Sequence, residues 1–166
     1  MVYTAVIVAH AVLGTALLVV GFLALRAPKR SGGRHGRLGQ AYFAILFTCL
    51  PLGLVIGSRH AGLSAFEVAT PPTLALGLVG WIAMRRRPRP FLGQPWIVAH
   101  VSGMGGSYIG VVTAGAFQTF GRLAPDSVIA AVVIFAVPTL VGSPLIARAI
   151  AKRVPASPRV PGLPAR

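Results

Sequence analysis

Four histidines, His10, His35, His60 and His100, are the side chains of this chain best suited to metal or proton chemistry. An imidazole can ligate a metal through one ring nitrogen and changes charge close to neutral pH. His10 and His100 fall inside long apolar runs, where an ionisable group is expensive and therefore points to function. Met104 and Tyr108 follow His100 at one and two helical turns, on the same helix face. A thioether beside an imidazole leaves copper and zinc open alongside haem iron.

The elements that must position these groups are membrane helices. Hydrophobic residues make up 55% of the 166 and charged residues only 11%, against roughly 25% charged in soluble domains, too little polar surface to coat a soluble globule. Five apolar runs reach the roughly 20 residues needed to cross the hydrocarbon. They cover Val2 to Leu25, Gly39 to Gly57, Leu63 to Met84, Pro95 to Phe117 and Ser127 to Ala147. The first has no positive n-region and exceeds the apolar core of a signal peptide, so it reads as a retained helix. The expected fold is all-α, a polytopic five-helix bundle over residues 1–150, followed by a basic, proline-rich tail, 151–166, expected to be disordered.

Charge sets the orientation. Fourteen of the sixteen Lys and Arg lie in the one-two connection, the three-four connection and the tail, whereas Glu67 and Asp126 lie at the other face beside Arg59 and Arg122. Short loops rich in Lys and Arg stay cytoplasmic, which puts the amino terminus outside and the carboxyl terminus inside. The net charge of +14 therefore points to anionic lipid at the cytoplasmic face and away from nucleic acid.

Depth limits how the histidines combine. At 1.5 Å per residue, His10 lies roughly 12 Å from the outer boundary and His100 about 7 Å from the inner one, a vertical gap of about 15 Å, so one iron cannot bind both. The feasible pairs are His10 with His60 toward the outside and His35 with His100 toward the inside. Either pair suits a haem; the other reading has His35 and His60 simply solvated or bound to lipid phosphate at the interfaces.

Small residues supply the packing signal. Gly106, Gly110 and Ala114 recur every four residues in the fourth run and form a groove where another backbone can approach. That groove suits a neighbouring helix of this chain, a membrane-protein partner or a second copy. His10, Gly14, Leu17 and Gly21 share a side of the first run, with room for a helix or a flat cofactor. Pro71 and Pro72 should bend the third run, and Pro138 and Pro144 raise the same question in the fifth. Cys49, the lone cysteine, reads as core packing. No HExxH, CxxC, GxSxG or phosphate-cradling loop is present, so no enzyme class is assigned.

The order AHAVLGTALLVVGFLAL, SGGRHGRLGQAYF, AHVSGMGGSYIGVVTAGAF and VPTLVGSPLIAR resembles a bacterial family of integral-membrane proteins called domain of unknown function 2306. The resemblance covers nearly the whole chain, through a histidine-and-glycine first helix, a basic HxRLGxxY connection, an HxxxMxxSY helix and a closing PTxxGxPxI run. It implies a bacterial cytoplasmic membrane protein and marks His10, His35, Arg37, His100, Met104, Ser107, Tyr108, Pro138, Thr139, Gly142 and Pro144. His60 matches none of these motifs.

These readings converge on a cytoplasmic-boundary site formed by His35, Arg37, His100, Met104 and Tyr108, with His10 as a further candidate ligand. The expected ligand is haem b, with His100 and His35 on the iron, or a quinone head group. The expected function is a small electron-transfer membrane protein; the alternative is a non-catalytic subunit of a larger membrane complex.

Overall fold

The computed structural model describes residues 2–30, 33–59, 62, 65–120 and 127–154. His60, Arg122, Asp126 and the tail from residue 155 lie outside the described residues. Five helices follow in order: α1 Val2–Arg26, α2 Arg34–Gly57, α3 Ala65–Arg85, α4 Trp96–Phe120 and α5 Val128–Ala151. Each is long and apolar enough to cross a membrane, the make-up of a multi-pass membrane protein. In hydrocarbon every backbone polar group must be satisfied within the segment, which long apolar runs achieve only as helices. Thr15, Thr48, Thr73, Thr119 and Thr139 each donate their hydroxyl to the carbonyl four residues earlier, so these polar side chains also sit in apolar helices without loss.

Packing makes a closed ring of four helices. α1 packs on α2, α2 on α3, α3 on α4, and α4 back on α1 across the smallest of these interfaces, while among the described residues α5 packs on α4 alone of the helices. Leu17, Tyr42, Leu46, Leu50 and Val111 form the buried centre, with Met104 and Tyr108 against it. α5 buries no residue, and its Ile129 and Leu140 are 77% and 71% exposed, as lipid-facing side chains are.

Glycines decide the closest contacts. A Cβ on Gly103 would stand 2.5 Å from the Gly80 nitrogen, so α3 and α4 meet backbone to backbone. Gly106 continues the contact against Leu76, and Gly110 against Thr73. The groove expected on α4 is therefore filled by α3 of the same chain. Gly105 and Gly115 face Ile146 and Leu18 of the same chain.

The start of α2 differs most from expectation. α2 begins at Arg34, so His35 and Arg37 belong to its first turn and not to a loop. α3 stays helical through Pro71 and Pro72. The donors those prolines lack would have served the carbonyls of Glu67 and Val68, in the helix's first turn, so little of the ladder is lost.

Between α3 and α4, Leu92 and Gly93 take positive φ of 52° and 70°, and Phe91 and Gln94 exchange backbone hydrogen bonds of 2.8 and 3.1 Å. That is a two-residue turn of the kind that closes hairpins. Arg86 lies over the Phe91 ring and Arg87 over the Trp96 ring, at 5.3 and 6.0 Å.

Candidate functional site

At the basic end of the bundle a cavity of about 60 Å³ opens between three helices. α1 contributes Gly21, Ala24 and Leu25, α2 contributes His35, Gly39 and Tyr42, and α4 contributes His100, Met104 and Tyr108.

Each histidine is fixed by a backbone carbonyl. His35 Nδ1 lies 2.8 Å from the Ala24 oxygen and His100 Nδ1 lies 2.9 Å from the Gly80 oxygen. A carbonyl only accepts, so both Nδ1 atoms carry the proton and donate it. In the neutral imidazole this leaves Nε2 with the lone pair. Neither Nε2 has a partner among the described residues, and no buried side-chain nitrogen or oxygen there lacks one. Both Nε2 atoms are therefore accessible acceptors.

The local sequence explains both anchors. The last carbonyls of a helix have no intrahelical donor. At the end of α1, the Ala24 carbonyl is taken by His35 and the Leu25 carbonyl by the Lys29 ammonium. His100 reaches Gly80 because Gly103, three residues on, lets α4 approach α3 to backbone contact.

The two phenols are occupied. Tyr108 donates to the Leu18 carbonyl at 3.0 Å, tying α4 to α1. Ser107 gives its proton to the Met104 carbonyl at 2.9 Å, so the Tyr42 hydroxyl, 3.1 Å from Ser107 Oγ, is the donor in that pair. The rings meet edge to face with centroids 6.1 Å apart. Gly21 makes room for them, since a Cβ there would lie 2.4 Å from the Tyr108 ring and 3.1 Å from Tyr42. What remains for a ligand is two imidazole nitrogens and the Met104 thioether.

Positive charge surrounds this end. Arg87 and Arg153 lie near enough to act on His100, as does His35. Lys29 has its ammonium held below the usual lysine range by burial and then by Arg153. Glu67 stands at the start of α3, about 27 Å by helix rise from that helix's basic end.

His35, His100, Met104 and Tyr108 thus share one cavity. Arg37 is exposed and is not part of the lining. His10 lies fifteen residues before Leu25 on α1, about 22 Å along the helix. Its Nδ1 is 3.0 Å from the Cys49 carbonyl, and the Cys49 thiol donates to the His10 carbonyl at 3.6 Å. His10 and Gly14 therefore join α1 to α2, the packing role of that glycine side. Gly39 and Tyr42 are lining residues that sequence reasoning does not single out as ligand contacts. The available signal is spacing, since they stand four and seven residues after His35, on its helix face.

Haem can be tested against this site. The donors are of the right kind, because an Nδ1–H held by a carbonyl is how a metal-binding histidine is usually oriented. The enclosed space is small: about 60 Å³, against the roughly 150 Å³ that accepts benzene, so most of a tetrapyrrole or a quinone would have to lie in the open side of the cavity. The chain matches no family model, no curated protein and no solved structure.

Proposed function

We propose that the protein is a multi-pass membrane protein that binds a single soft, monovalent metal ion, copper(I), at the basic end of its helix ring. The observation that carries this reading is the pair of accessible Nε2 atoms of His35 and His100 on one cavity of about 60 Å³, beside the Met104 thioether. Imidazole and thioether ligands favour soft copper(I) over hard cations. The three ligands are neutral, so a bound ion keeps its full charge and is repelled by Arg87 and Arg153. That repulsion scales with charge and penalises a divalent ion twice as much as a monovalent one.

The small enclosed volume favours a single ion over haem b. The motif resemblance to a bacterial membrane family is consistent with this reading and adds no activity to it.

Anaerobic titration of the purified protein with copper(I), against a chromogenic chelator, tests the proposal. One equivalent should bind, be lost in His35→Ala and His100→Ala, and weaken in Met104→Leu. Equal affinity for zinc(II), or undiminished binding in the His100→Ala protein, would refute it.

A non-catalytic accessory role is favoured by one observation: α5 rests on α4 alone and buries none of its residues. Gentle-detergent sizing from native membranes should then show a larger assembly that is lost when apolar α5 residues such as Leu140 are made polar.

A further inference from the structure

The passage from α3 to α4 carries four arginines in five residues, Arg85, Arg86, Arg87 and Arg89. A backbone hydrogen bond of 3.0 Å from the Arg89 nitrogen to the Arg86 oxygen folds them into one turn. Three consecutive guanidiniums then lie each over a different ring: Arg85 over Trp81 at 4.8 Å, Arg86 over Phe91 at 5.3 Å and Arg87 over Trp96 at 6.0 Å. The rings are themselves anchored. Trp81 stacks on Phe43 of α2 with centroids 4.3 Å apart, Phe91 is tied to Gln94 by the paired backbone hydrogen bonds of the turn, and Trp96 opens α4 with its ring 6.5 Å from that of His100.

A guanidinium laid on a ring engages its flat face and keeps its edge N–H donors for an anion. All four arginines are exposed, and Glu67, the acid among the described residues, begins α3 at its opposite end. The tip of the same turn is apolar. Leu92 is 69% exposed and takes a φ of 52°, at a position where glycine or asparagine is the usual choice. A leucine held out in this way gains nothing from water and gains burial from the acyl boundary of a bilayer. Trp81 in the last two turns of α3 and Trp96 at the start of α4 mark head-group depth, where tryptophan concentrates.

We infer that the α3–α4 turn binds anionic phospholipid: Arg85, Arg86 and Arg87, held flat by Trp81, Phe91 and Trp96, take the lipid phosphates while Leu92 enters the acyl boundary. Basic segments beside membrane helices attract anionic leaflets through charge alone. This turn adds direction, because guanidiniums fixed on rings present paired donors that match phosphate oxygens. Orientation by charge needs only the arginines, whereas lipid binding of this kind needs the rings and the apolar tip as well. Inorganic phosphate matches the arginines and leaves Leu92 in water. The inference is independent of whether His35 and His100 hold copper.

Native mass spectrometry of the full chain in detergent, titrated separately with phosphatidylglycerol, phosphatidylcholine and inorganic phosphate, decides the matter. Phosphatidylglycerol should be retained in preference to phosphatidylcholine, and millimolar phosphate should not displace it. Arg86→Gln combined with Arg87→Gln should weaken that retention about 30-fold. Phe91→Leu and Leu92→Ser keep every charge and should each weaken it about 3-fold, the first by freeing a guanidinium from its ring and the second by removing the apolar tip. Arg59→Gln, just past the opposite end of α2, should leave it unchanged. Equal retention of the two lipids, displacement by phosphate, undiminished retention in either Phe91→Leu or Leu92→Ser, or a loss in Arg59→Gln equal to that of the double variant would each overturn the proposal. If the double variant does not fold, the comparison of lipids on the unaltered protein and the Phe91→Leu protein decides alone.

Discussion

Gly80 and Gly103 lie so close that neither could carry a side chain: a Cβ on Gly80 would stand 2.6 Å from the Met104 nitrogen, and one on Gly103 only 2.5 Å from the Gly80 nitrogen. The obstacles are backbone atoms, which cannot rotate aside. Gly103→Ala should therefore push α3 from α4 and cost about 2 to 3 kcal/mol. It should also detach His100 from the Gly80 carbonyl. Thermal melting in detergent checks the first effect, and the ¹⁵N shift of the His100 ring checks the second.

Gly21→Ala meets a side chain instead, the Tyr108 ring at 2.4 Å. The expected loss is about 1 to 3 kcal/mol. Tyr108→Ala in the same chain should remove that clash, so the double variant should lose less than the two single losses added. Strict additivity of the three melting curves would count against this contact.

His10 and His100 should separate fold from ligand. His10→Ala removes the 3.0 Å link to the Cys49 carbonyl and should lower stability by about 1 kcal/mol while leaving copper(I) binding intact. His100→Ala should abolish binding. Equal loss of copper in the two variants would place the metal elsewhere.

Lys29 gives a pH dependence of known sign. Its folded-state value lies below the usual 10.5, first through burial and then through Arg153, so between the two values the unfolded chain binds the extra proton. Stability should accordingly rise with pH across that window, with the penalty fully present below the folded-state value. The side chain is largely solvent-exposed and salt should shrink the effect. Lys29→Gln should flatten the slope in melting experiments between pH 8 and 11.

The five helices are legible because lipid demands long apolar runs, and the pairing of His35 with His100 is legible because helix rise fixes depth. Contacts between helices are less so. The recurrence of Gly106 and Gly110 announces a close neighbour without naming it, and Leu76 and Thr73 of α3 turn out to fill that face. His35 reads as a loop residue because the apolar run begins after it. In the structure α2 starts at Arg34 and the imidazole closes the end of α1. Neither tautomer could be read in advance, since the carbonyls of Ala24 and Gly80 become acceptors only through the register between helices.

The attachment of α5 to α4 alone divides the molecule by order of synthesis. When residue 120 has left the ribosome and entered the bilayer, the ring from α1 to α4 already contains every residue that lines the histidine cavity. The last helix arrives at a finished assembly and adds no residue to the cavity lining. A chain shortened before α5 should therefore keep the pocket and lose only the lipid-facing helix laid against α4.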